Sequence, residues 1–74
     1  MPVRPEEEWI LFRKFDDPRA AAGLCVWLRN EQVTARVERA GVYVQRAQYH
    51  RAEWVLEHLP PSEDDLLALA VYAA

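Results

Sequence analysis

Three features of this 74-residue chain predict an α+β fold. Two segments repeat apolar residues at helical spacing. Two others alternate apolar and polar residues on either side of Ala40-Gly41. An aromatic stretch ends just before Asp17-Pro18. The implied order is strand, helix, strand, strand, helix, and then a short helical tail.

Residues 1–8 are rich in Pro and Glu and are expected to form a flexible tail. Residues 9–14 are apolar and aromatic enough for a first strand. Trp9-Ile10-Leu11-Phe12 is continuously apolar, which predicts either cover on both faces or an exposed face that meets something else. Asp17 can cap the next helix by accepting from its unpaired N–H groups. Pro18 suits the first helical position, where a missing N–H costs nothing. Ala21, Leu24, Cys25 and Leu28 then form one apolar stripe, and Asn30 is the expected left-handed cap.

Residues 33–38 alternate strictly and read as a half-buried strand. Ala40-Gly41 supplies a turn in which Gly41 is free to take positive φ. Residues 42–44 alternate again and complete a hairpin. A second helix is expected over 47–58, with Ala52, Val55, Leu56 and Leu59 as its buried stripe and Pro60-Pro61 as its stop. Ser62 and Asp65 have the spacing of a capping box, which predicts a short third helix over 63–72. It either packs on the domain or leads away from it.

A right-handed crossover makes strands one and two parallel. With the hairpin strand between them, the sheet order is 1-3-2, a half-ferredoxin-like arrangement with both helices on one face. The domain spans residues 9–59, and residues 60–74 form a linker and short helix. Strand one becomes an edge able to recruit another strand. Half of the run Trp9 to Phe12 points to the uncovered face beside Tyr43. Either that face mediates self-association, or the N-terminal tail or third helix folds over it.

Composition narrows the function. One cysteine permits no intrachain disulfide, and no Cys/His cluster has zinc spacing, so a cytoplasmic setting is expected. Residues 1–51 hold nine basic and seven acidic groups, whereas 52–74 hold five acidic and no basic ones. No block is basic enough for a nucleic-acid footprint. Arg36, Arg39, Arg46 and Arg51 fall close together, and a solvated surface is the plainer reading than an anionic-lipid or acidic-partner site. No signal peptide or membrane span is legible.

No catalytic, cofactor or metal residues are expected. His50 and His58 are too far apart on one helix for a single chelate. Asp16 and Asp17 are accounted for by a helix cap, and Glu53 and Glu57 by solvated pairs with Arg46 and Arg51. Cys25 should be a buried, inert thiol. Trp54 lies nearly opposite its helix's apolar stripe, exposed for an interface or stacked on His50 and His58. The interaction candidates are therefore Trp9, Leu11, Arg36, Tyr43, Arg51 and Trp54.

Residues 9–59 resemble the small cytoplasmic N-terminal domain of bacterial rhomboid intramembrane serine proteases. The matching features are an apolar strand ending at Phe15, two small polar residues, Pro18-Arg19-Ala20 opening a helix, a hairpin whose second strand reads Val42-Tyr43-Val44, and a helix containing Ala52-Glu53. Pro60-Pro61 before an acidic turn is similar to the linker that precedes the first membrane span in that family. The resemblance implies a non-catalytic domain with a regulatory, membrane-surface or oligomerisation role, tethered at the inner membrane to the protease's membrane region. It also implies a polypeptide that continues past Ala74. The family's catalytic serine and histidine lie within the membrane helices and have no counterpart here. The chain departs from the family's pattern in lacking a glycine after the first helix. The alternative is a free-standing module that dimerises through strand one or the open sheet face, or binds a small ligand.

Overall fold

The computed structural model of the protein describes residues 8–73. The first strand, β1 (Trp9–Lys14), leads into helix α1 (Pro18–Asn30), and the hairpin β2 (Ala35–Glu38) and β3 (Gly41–Gln45) follows. A single 3-10 turn, Arg46–Gln48, opens helix α2 (Tyr49–His58). Helix α3 (Glu63–Leu69) and a second 3-10 turn, Ala70–Tyr72, end the described chain. The sheet order is β1-β3-β2, with β3 antiparallel to both neighbours, so β1 and β2 run parallel as the crossover rule requires.

Local chemistry explains the element starts. Asp17 has extended backbone and accepts from the Arg19 N–H at 2.9 Å, with Pro18 at the first helical position. The Arg19 guanidinium returns to the same carboxylate at 2.9 Å. These side-chain and backbone hydrogen bonds from Arg19 hold the Asp17 carboxyl below its ordinary pKa. Ser62 and Asp65 satisfy each other's backbone N–H groups, both at 3.1 Å, in a complete capping box.

The core lies between the sheet and the helices. Ala21, Leu24, Cys25 and Leu28 of α1 are buried against Val42 and Val44 of β3, with Ala52 and Val55 of α2 and Val33 and Ala35 at the start of β2. Phe12 of β1 meets Tyr49 of α2 edge-on, ring centroids 5.5 Å apart. Burial pushes the Cys25 thiol pKa up, consistent with an inert core group. Leu56 is partly buried, but Leu59 is 40% exposed, because the helix ends there and its carbonyl turns to the Trp27 indole at 3.0 Å.

Helix α3 packs on α1 and contributes Leu66 to the core. A Cβ at Gly23 would overlap the Leu66 carbonyl, so the two backbones approach closely only because that residue is glycine. The third helix therefore does not cover the open side of the sheet. The N-terminal tail, save Glu8, lies outside the described residues.

Three turn expectations are corrected. Asn30 stays helical, and Gln32 takes the left-handed conformation at φ 68°, while the Val33 N–H returns to the Leu28 carbonyl at 3.0 Å. In the hairpin it is Arg39, at φ 59°, that takes positive φ, and Gly41 begins β3 with no positive φ. Small size rather than backbone freedom is what Gly41 supplies. A Cβ there would meet the side chains of Leu11 and Tyr43 at 3.1 and 3.3 Å. The second strand starts at Ala35 rather than residue 33, although Val33 is buried as the alternation requires.

Candidate functional site

Opposed residues in neighbouring strands share a face, so the ladder register defines the open surface. Leu11 opposes Tyr43, and Tyr43 opposes Arg36 across the other ladder. Trp9 lies two residues from Leu11 on the same side. The Arg36 guanidinium sits over the Trp9 ring, 4.6 Å from its centroid. Such a contact contributes on the order of 0.5–1 kcal/mol at an exposed site. Leu11 is 45% exposed, and Trp9 and Tyr43 are half-buried. Four of the six expected interaction residues thus form one surface.

A register shift between Leu11 and Arg13 interrupts the β1–β3 ladder. Phe12 points into the core at this bulge, 4% exposed, and the Arg13 guanidinium folds over the Phe12 ring at 4.3 Å and donates to the Phe12 carbonyl at 2.7 Å. The ladder is extended at both ends, by the Phe15 N–H on the Ala40 carbonyl and the Arg46 N–H on the Glu8 carbonyl, both 2.8 Å. Strand β1 remains an edge, with Arg13 and Lys14 at its end. Charges and a bulge are the features that discourage indiscriminate strand pairing.

The other two expected residues lie elsewhere, on α2. Trp54 is half exposed and stacks on His58 at 4.5 Å, while the His50 ring meets Tyr49 instead. Arg51 donates through Nε to the Glu31 carbonyl at 3.2 Å, which ties α2 to the end of α1. The expected pairs of Arg46 and Arg51 with Glu53 and Glu57 do not form. Arg46 reaches Glu8 at 3.8 Å, and Glu53 sits 3.4 Å from His50.

Sequence reasoning missed a groove at the end of the sheet where β1 begins. Trp9, Arg29, Val33, Thr34 and Arg36 border a volume of about 490 Å³. Arg29 closes one side by donating from Nε to the Ala35 carbonyl at 3.0 Å. The available signal was weak, a single arginine in the last turn of a helix, which ordinarily reads as a partner for the helix dipole.

Among the described residues, no group of three His, Cys, Asp or Glu side chains is placed to hold a metal ion. No helix among them is long and apolar enough to cross a membrane. No protein-family model, curated protein or solved structure matches the chain.

Proposed function

We propose that this chain is a non-catalytic interaction domain, and specifically the cytoplasmic accessory domain of a rhomboid-type intramembrane serine protease. The observation that carries the interaction reading is the sheet face that no described helix covers. Trp9, Leu11 and Tyr43 are apolar groups of partial exposure on a rigid three-stranded platform, with Arg36 laid across them. The β-α-β-β-α order and the residues that open α1 support the rhomboid form of this reading. In that form the domain regulates the protease or seats it against a membrane surface or second subunit. Peptide-bond cleavage belongs to groups outside this segment.

A second reading, a free-standing module that pairs with its own copy, is favoured by the open edge of β1. Fractionation of source cells, probed with an antibody to this domain, separates the two. A membrane-bound band several times larger than 8.6 kDa is expected. A band near 8.6 kDa outside the membrane fraction would overturn the protease reading and leave the self-pairing module.

A further inference from the structure

The groove at the start of β1 is held in shape by three separate devices. The Gln48 side chain clamps the loop before β2, accepting from the Thr34 N–H at 2.6 Å and donating to the Gln32 carbonyl at 3.4 Å. This double contact fixes the left-handed turn at Gln32. Arg29 is anchored through Nε on the Ala35 carbonyl, and among the described residues its two terminal nitrogens have no hydrogen-bond or ion-pair partner. Arg36 is positioned by the Trp9 ring, and its one ion pair among the described residues, with Glu38 at 3.9 Å, is long and solvent-exposed.

Among the described residues no acidic side chain lines this groove, yet two arginines do. Two positive charges on the border of one groove favour an anion there. A guanidinium fork matches the paired oxygens of a phosphate or carboxylate, and both arginines are already ordered, so less side-chain entropy is lost on binding. Trp9 and Val33 add an apolar wall beside the charged pair.

We propose that this groove binds the oxyanion head of a small ligand between Arg29 and Arg36, with a planar or apolar body resting against Trp9. The head group is a phosphate or a carboxylate, carried by a soluble molecule or by a lipid. The inference stands independently of the accessory-domain reading, since it needs only the groove.

The test is a nuclear magnetic resonance titration of the 74-residue chain with inorganic phosphate, phenyl phosphate and, separately, phosphatidylglycerol vesicles. Sodium chloride at matched ionic strength is the reference. Saturable shifts are expected for the Trp9 indole and the amides of residues 33–36, with phenyl phosphate binding more tightly than inorganic phosphate. Arg36→Gln and Arg29→Lys should each weaken binding by about tenfold or more, the scale of a lost charge-assisted hydrogen bond. Arg51→Gln removes equal charge on α2 and should leave binding intact. Vesicle binding that depends on Arg36 would assign a lipid source, and soluble phosphates binding alone would assign a free one. Shifts that never saturate, that chloride reproduces, or that persist in Arg36→Gln would overturn the proposal. Arg36 is exposed, so this variant keeps the fold and decides the matter even where Arg29→Lys disturbs the Ala35 contact.

Discussion

Leu11 and Phe12 are adjacent on one strand and have opposite fates. Phe12 is 4% exposed and sits among helix side chains, whereas Leu11 is 45% exposed on the far side of the sheet. The same contrast separates Val42 and Val44 from the intervening Tyr43. Strand pleating makes both faces of this small sheet rich in apolar groups, but all the described helices gather on one of them. Fold stability thus rests on the covered face. The open face carries hydrophobic groups that no described helix covers, the feature on which the proposed interaction role rests.

The contrast is broken most forcefully from the covered side. Leu24 is 1% exposed at the centre of the α1 stripe, and Leu24→Ala leaves a cavity between helix and sheet. A loss of about 2–5 kcal/mol is expected. For a domain of this length each kcal/mol moves the melting temperature by roughly 4–8 °C. Thermal unfolding followed by circular dichroism checks it, and a change under about 1 kcal/mol would mean that the core is not organised around α1.

A narrower effect is expected at Gly23. Replacing a mid-helix glycine with alanine ordinarily favours the helix by about 1 kcal/mol. Here the added Cβ meets the Leu66 backbone, which has no rotamer with which to yield. Gly23→Ala should therefore destabilise by roughly 1–3 kcal/mol, the range for overpacking. Hydrogen exchange should show the loss first in α3, with amides of β3 still protected. Stabilisation instead would show that α3 is held loosely and that Leu66 adds little to the core.

How much of this could be read from the residues follows from the range of the forces involved. Short-range patterns carried well: the alternation around the hairpin, the stripe Ala21/Leu24/Cys25/Leu28, the Asp17 cap and the Ser62/Asp65 box all depend on neighbours within one or two turns. They suffice for the sheet order and for placing half of the run Trp9 to Phe12 beside Tyr43 on one face, whereas Arg36 joins that face only through the β2–β3 register. Backbone detail carried poorly. Gly41 was the natural residue for positive φ, but Leu11 and Tyr43 close over it from the open face, so its small size serves packing and Arg39 takes the left-handed position. Nor could the chain's local pattern place Gly23 under Leu66 or set Arg29 and Arg36 on the border of one groove, since each arrangement is made by the tertiary approach of elements that sequence spacing does not relate. Arg51 and Trp54 lie apart from that face. Helical projection placed them correctly on the outer side of α2, but one is tied to the Glu31 carbonyl and the other is stacked on His58, away from the open face.

The smallest expected effect on stability is also the sharpest test of the comparison. Leu11→Lys changes a large apolar residue to a charge in the middle of a strand, a substitution that in the core would unfold a domain this small. On the open face the new ammonium reaches water directly, so the unfolding free energy should shift by no more than about 0.5 kcal/mol. Any assembly made through that face should nevertheless be lost, because a lysine at the centre of an apolar contact must be desolvated without a partner. Light scattering and denaturant unfolding on the same sample therefore answer different questions. Unchanged stability with loss of a higher-mass species assigns Leu11 to an interface between copies. Unchanged stability and unchanged mass leave the face to a different partner. A fall in stability of several kcal/mol in a monomer would contradict the division of labour between the two faces, since it would require Leu11 to be covered by the chain itself.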